Sequence, residues 1–180
     1  LLTINGASIQ YNERGQLTQG PLNGEQTSFG YDRFGRFNQA GNDNYGYDME
    51  DRLRFSFENN QITYFAISPH HPLNQLLVKS PQGEEPTYYV YGVGLAYEVQ
   101  GDDLRVYHYD HLGSTVALSG SDGSVVGEIE YSPFGKILSE AGQTDTPFKF
   151  HGLYGVLTLQ NGLSYMRFRW YSPELRRFLS

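Results

Sequence analysis

Apolar and polar residues alternate along most of this chain with a period of two, the pattern of half-buried β-strands. Leu2-Thr3-Ile4, then Asn5-Gly6, then Ala7–Tyr11 predicts a tight hairpin, because Asn-Gly suits the positive-φ pair that a short turn needs. Phe55-Ser56-Phe57 and Ile62–Phe65 flank the polar tip Glu58-Asn59-Asn60-Gln61 and predict another. Tyr88–Tyr91 and Leu95–Val99 bracket Gly92-Val93-Gly94. The cleanest unit is Tyr107–Leu118: a strand, the turn Asp110-His111-Leu112-Gly113, and a return strand opening at Ser114. Gly120–Gly123 turns into a strand over Ser124–Tyr131. Phe148–Phe150 reads as a strand, His151–Gly155 as a bend and Gln160-Asn161-Gly162 as a turn. Leu163–Tyr171 predicts the longest unbroken strand, with Tyr165, Arg167 and Arg169 on one face and Met166, Phe168 and Trp170 on the other. Polar turns at Gly41–Tyr45 and Ser80–Pro86, loops at Ser68–Pro72 and Glu140–Thr146, and a strand at Leu73–Val78 complete the pattern. No window of helical length carries an apolar stripe, so the chain reads as almost all β.

One frame recurs. Tyr11-Asn12-Glu13-Arg14-Gly15-Gln16-Leu17 is followed twenty residues on by Tyr31-Asp32-Arg33-Phe34-Gly35-Arg36-Phe37, and sixteen further by Tyr47-Asp48-Met49-Glu50-Asp51-Arg52-Leu53. Each position has a physical task. The tyrosine ends a strand and packs on the sheet with its hydroxyl in water. The Asn or Asp side chain accepts hydrogen bonds from the turn backbone. The Gly or Asp takes the left-handed conformation. A unit of one hairpin cannot bury its own face, so copies must stack.

Composition supports this and narrows the function. Tyrosine (15 residues), phenylalanine (11) and glycine (21) outweigh the two methionines and one tryptophan, which suits pleated surfaces joined by tight turns. A net charge of −7 leaves no basic stripe for nucleic acid. Cysteine is absent, which removes disulfides and thiolate metal sites. No apolar run reaches membrane-spanning length. Both termini interrupt strand-like patterns, so the chain is expected to be a piece of a longer polypeptide.

Candidate chemistry is sparse. His108 with His111, and His70 with His71, invite a metal, but neither pair has the spacing of a ligand set, and surface histidines are expected. Glu128 and Glu130 share a strand face, and Asp102-Asp103 sit in a turn; a glycosidase pair needs a cleft, and a solvated face is the simpler expectation. Ser114 follows Gly113 without the Gly-x-Ser-x-Gly of a nucleophile elbow. Arg167, Arg169, Arg176 and Arg177 interleave with aromatics like a stacking platform, yet the acidic balance favours a structural role. Asp32, Asp48 and Asp110 are expected to cap turns. No catalytic, cofactor-binding or metal-binding residue is assigned.

The tyrosine frames resemble YD repeats. Tyr107–Leu118, Tyr131-Ser132-Pro133-Phe134-Gly135, Phe148–Gly152 and the run from Gly162 to Ser180 together resemble the Rhs repeat-associated core. The resemblance implies a β-strip that spirals into a hollow cocoon, as in the B and C subunits of Tc toxins and in teneurins. It implies a YD strip over residues 1–87 and a shell-closing core over residues 88–180. The expected role is structural: to enclose a C-terminal toxic effector for export in bacterial competition or virulence. Its implied partners are the rest of the shell, the payload, and a secretion-machine spike or chaperone, with no nucleic acid and no cofactor. Two alternatives are part of a self-cleaving aspartyl protease and a glycan-binding surface built on the tyrosine faces. Family members place an Asp-Pro-rich cleavage segment beyond the position of Ser180, and no Asp-Pro occurs in these residues. The chain also has Tyr171-Ser172-Pro173 where the family has Tyr-Asp-Pro, and Arg176-Arg177-Phe178 where it has Gly-Arg-Phe.

Overall fold

The computed structural model describes residues 2–4, 6–68 and 75–179. The expected turn residue Asn5, the pair His70-His71 and the start of the Leu73–Val78 strand lie outside these residues. The strands run β1 (Leu2–Ile4), β2 (Ala7–Tyr11), β3 (Leu17–Leu22), β4 (Glu25–Tyr31), β5 (Phe37–Ala40), β6 (Asp43–Tyr47), β7 (Leu53–Glu58) and β8 (Gln61–Ile67). They continue as β9 (Leu76–Pro81), β10 (Thr87–Tyr91), β11 (Leu95–Gln100), β12 (Asp103–Tyr109), β13 (Thr115–Ser119), β14 (Val125–Tyr131) and β15 (Ile137–Gly142). Each pairs antiparallel with the next, giving one fifteen-stranded meander in chain order. A second, four-stranded sheet holds β16 (Leu157–Thr158), β17 (Ser164–Met166), β18 (Arg169–Ser172) and β19 (Arg177–Phe178), after a 3-10 turn at Gly152–Tyr154.

A meander has two rims. The tyrosine frames all fall on one, between β2 and β3, β4 and β5, β6 and β7, and again between β12 and β13 and between β14 and β15. Asn23, Asn42 and Asn59 mark consecutive turns on the other. One face of the strip is buried, lined by Phe29, Phe37, Tyr45, Phe65, Tyr89 and Tyr107. The opposite face exposes Tyr64, Tyr88, Glu128 and Glu130. Residues 143–179 cover the buried face, and the strip curls around them. Arg177 Nη1 donates to the Tyr11 hydroxyl at 2.5 Å, while Tyr171 on the same hairpin donates to the Phe134 carbonyl at 3.1 Å. Tyr11 ends β2 and Phe134 lies between β14 and β15, so the strip's distant ends meet one β18–β19 hairpin. The C-terminal segment is therefore a plug inside a curled wall.

Four expectations need correcting. Leu163–Tyr171 is not one strand: Arg167 has φ 64° and Phe168 N–H donates to the Met166 carbonyl at 2.8 Å, which reverses the chain into β17 and β18. In one extended strand Tyr165 and Trp170 would face opposite ways. The reversal pairs them across the hairpin, both buried. Their burial outweighs the ~1–2 kcal/mol cost of a left-handed arginine. Phe148–Phe150 is not a strand either. It crosses the end of the tyrosine rim, where the Thr115 hydroxyl donates to the Phe148 carbonyl at 2.6 Å and Thr115 N–H to the Lys149 carbonyl at 3.0 Å. The expected Glu140–Thr146 loop begins as strand, since β15 runs to Gly142, and the expected Gly41–Tyr45 turn holds only two turn residues before β6 begins.

Candidate functional site

The rim turns are built alike. Asp32 Oδ1 accepts the N–H groups of Phe34 (2.9 Å) and Arg36 (3.0 Å), while Asp32 N–H donates to the Arg36 carbonyl and Gly35 N–H to the Asp32 carbonyl, both at 2.9 Å. Asn12, Asp48 and Asp110 repeat the pattern, as expected for turn-capping residues. Gly35 at φ 82° and Asp51 at φ 61° occupy the same left-handed slot. Burial pushes the Asp32 and Asp48 carboxyls up, but the hydrogen bonds and charges of Arg36 and Arg52 outweigh it and hold both below the usual carboxylate range. Arg36 also reaches the next turn, pairing with Asp51 at 2.7 Å, and Gln16 makes the same step with its Nε2 on the Gly35 carbonyl at 3.1 Å. Replacing Asp110 by alanine strips the Leu112 and Ser114 N–H groups of their acceptor. It is expected to cost about 1–2 kcal/mol by urea unfolding.

Each turn shifts the strand register by one residue at its tyrosine, so that Tyr31 pairs with Phe37, Tyr109 with Thr115 and Tyr131 with Ile137. The bulge aims the ring along the rim, and the hydroxyls are not in water as the sequence suggested. Tyr31 Oη lies 3.1 Å from the Leu17 carbonyl, and Tyr47 donates to the Phe37 carbonyl. Tyr91, Tyr109 and Tyr131 donate to the carbonyls of Leu76, Leu95 and Thr115 at 2.8, 2.8 and 2.7 Å. Each tyrosine thus clasps the residue that opens the return strand of the preceding repeat. Burial pushes the Tyr31 hydroxyl up to about 12 and the others higher. At the equivalent position β8 ends in Ile67, which has no hydroxyl. The plug supplies one instead: Tyr165 Oη accepts Leu53 N–H and donates to the Asp51 carbonyl, both at 3.2 Å. Tyr109→Phe is expected to lose about 1 kcal/mol, measured by thermal unfolding.

The plug is anchored at further points. Trp170 packs against Tyr45 and Phe37 with ring centroids 4.2 and 5.2 Å away, and its Nε1 donates to the Tyr47 hydroxyl at 2.7 Å. The Leu179 carbonyl lies 2.7 Å from Tyr31 Oη. The turn at Gln160–Asn161 enters the opposite rim, where Asn59 Nδ2 meets Gln160 Oε1 at 2.7 Å and Asn23 Nδ2 meets the Asn161 carbonyl at 3.1 Å.

Two buried carboxylates face the plug, and neither was singled out from the sequence. Glu98 pairs with Arg105 at 2.8 Å, accepts from Tyr107, and accepts from Thr146 of the plug at 3.2 Å. Arg105 also pairs with Asp145. Burial pushes the Glu98 carboxyl up, against the pull of Arg105. Glu58 is pushed up to about 7, by burial first and the Asp43 carboxylate next. Parity was the available signal. Arg105 lies two residues from the inward Tyr107, and Glu98 is its cross-strand partner.

The residues weighed for chemistry fall apart in space. His108 is exposed and its Nε2 lies 2.8 Å from Ser119 Oγ, while His111 is exposed on its turn. Among the described residues no three His, Asp or Glu side chains converge on a metal position. Glu128 and Glu130 share the exposed face of β14, and Asp102 and Asp103 are exposed. Ser114 is buried, its Oγ accepting His151 N–H at 3.2 Å. The arginines divide. Arg169 stacks on Phe178 at 3.8 Å, Arg176 on Phe134 at 4.8 Å, and Arg177 holds Tyr11.

A long antiparallel strip curled on its own C-terminal segment, with tyrosines clasping successive turns, defines a YD-repeat shell. The chain belongs to the teneurin YD-shell family, whose model matches residues 1–180. It is 27% identical over 176 residues to Teneurin-m of Drosophila melanogaster, covering 95% of this chain and 6% of that one. It is 25% identical over 205 residues to the tRNA nuclease WapA of Bacillus subtilis strain 168, covering 99% of this chain and 8% of that one. Among solved structures it resembles TcdB2-TccC3 (TM-score 0.58, 19% identity) and the Photorhabdus luminescens Tc holotoxin pore (TM-score 0.61, 18% identity), each match covering 98% of this chain and 9% of the other. The chain thus spans less than a tenth of the length of these relatives. No described helix is long and apolar enough to cross a membrane.

Proposed function

We propose that this chain is a wall-and-closure segment of a cocoon that encloses a toxic C-terminal polypeptide and protects it until export from the producing cell. The carrying observation is the curled strip whose far ends, at Tyr11 and Phe134, meet one hairpin of the plug. Likeness in fold to the Tc holotoxin pore and in sequence to the tRNA nuclease WapA supports the reading. In it, residues 1–87 form YD wall and residues 88–180 the closing core. The partners are the remaining shell, the payload, and a secretion-machine spike or chaperone. The chain's own role is mechanical, and autoproteolysis would need sequence beyond Ser180.

The test is limited proteolysis of the full-length polypeptide. The sequence following Ser180 should resist digestion while the shell is folded, and lose that resistance when the shell is unfolded in urea. A tail digested equally fast in both states sinks the proposal. Tyr64 and Tyr88, each 52% exposed on the outer face, favour a second reading, a glycan-binding surface. A glycan array without saturable binding dismisses that one.

A further inference from the structure

On the rim opposite the tyrosine frames, the tips at Asn23, Asn42 and Asn59 and the plug turn Gln160–Asn161 line an open cavity of about 580 Å³. Its walls hold the carboxylates of Glu25, Asp43 and Glu58 and contain no lysine or arginine. Glu58 is 3% exposed. Its Oε1 has no hydrogen-bond partner among the described residues. Asp43 Oδ2 is held at 2.8 Å by Asn161 Nδ2, which also meets the Tyr45 hydroxyl at 2.5 Å. The cavity wall thus carries a buried carboxylate oxygen left unsatisfied, a second carboxylate beside it, and no base to offset either.

We propose that Glu58 Oε1 and Asp43, completed by amide and backbone oxygens of the surrounding tips and by water, bind a hard divalent cation of the calcium class. An unsatisfied buried carboxylate oxygen is costly, and a cation that reaches it removes the cost. The walls offer oxygen donors and neither thiolate nor imidazole, which disfavours zinc and copper. Oxygen donors from several separate tips suit the irregular, high-coordination sphere of calcium better than the strict octahedron of magnesium. Two carboxylates place the affinity near the weak end of calcium sites, Kd on the order of 10⁻⁴–10⁻³ M. The ion ties the tips of the wall to the plug turn.

Terbium is the direct probe, since tyrosine sensitises its emission and the Tyr45 hydroxyl contacts Asn161 at the cavity wall. Chelator-treated protein titrated with terbium chloride should give saturable sensitised emission that calcium chloride competes away and potassium chloride does not. Glu58→Gln and Asp43→Asn should each weaken it at least about tenfold, the least that removing even a hydrogen-bond partner of a metal ligand costs. Circular dichroism checks that each variant is folded, and Asp43→Asn alone decides the matter if Glu58→Gln is not. In parallel, calcium should raise the thermal midpoint of the parent but not of the folded variants. Emission that does not saturate, that calcium fails to displace, or that survives in the folded variants overturns the site. So does a parent midpoint indifferent to calcium, which would leave a proton as the only compensation.

Discussion

Trp170→Ala is expected to destabilise the protein by about 3–5 kcal/mol, the range for deleting a fully buried large aromatic. The ring is 1% exposed and lies among Tyr45, Phe37 and Tyr165, with centroids 4.2, 5.2 and 5.3 Å away. Truncation opens a cavity between wall and plug, and removes the N–H that the Tyr47 hydroxyl accepts at 2.7 Å. Tyr47 still donates to the Phe37 carbonyl, so its own rung survives. Trp170→Phe keeps most of the packing and loses the indole donor, for an expected cost of about 1–2 kcal/mol. Trp170 is the only tryptophan, so these variants are compared by circular dichroism in urea, and the parent's fluorescence reports plug docking. A loss below about 1 kcal/mol for the alanine variant means that the plug does not depend on this ring, contrary to its burial. If the alanine variant does not fold, the phenylalanine variant carries the comparison.

The turns were legible because their causes are local. Tyr, Asx and Gly at fixed spacing specify one capped turn, and Asp32, Asp48 and Asp110 cap as their spacing implied. The tyrosine hydroxyls were not legible. Whether Tyr31 meets water or the Leu17 carbonyl depends on a register shift at the turn, which brings neighbouring repeats into reach. Nothing within one frame encodes that. Ile67 in place of a tyrosine looks like a conservative lapse in the repeat, and only the folded chain shows Tyr165 standing in from about a hundred residues away. The hairpin inside Leu163–Tyr171 was hidden for another reason. Period-two alternation says which residues share a face only if the strand stays straight, and no glycine or proline marks the reversal at Arg167. Burial of Tyr165 beside Trp170 decided it. Glu98 sits in an alternating stretch, where a charge is by default assigned to the wet face, and Glu58 in what reads as the polar tip of a hairpin; the structure buries both, Glu58 at the end of β7.

Arg105→Met is expected to cost about 3–5 kcal/mol, because it leaves Glu98 as a buried carboxylate without its cation. Glu98 is 1% exposed and its remaining partners are the hydroxyls of Tyr107 and Thr146. Glu98→Leu is expected to cost less. Arg105 keeps Asp145, whose side chain is 73% exposed and can follow it toward solvent. Replacing both residues together should be nearly neutral, so the double-mutant cycle should return a coupling of about 2 kcal/mol or more. The sign with pH follows from burial. Burial already raises the Glu98 carboxyl above its ordinary value, and Arg105 is the group that restrains the rise. Without Arg105 the carboxyl is raised further. A raised acid contributes stability that is present below its unfolded value and lost as pH climbs through the folded one. The Arg105→Met protein should therefore be closest to the parent below the ordinary carboxylate range and fall behind it as pH climbs above that range, a trend that Glu98→Gln in the same background abolishes. A pH-independent deficit in Arg105→Met means that Glu98 is solvated in the variant. The Glu98 carboxylate would then not be what holds Thr146, and with it the entry of the plug, against the wall.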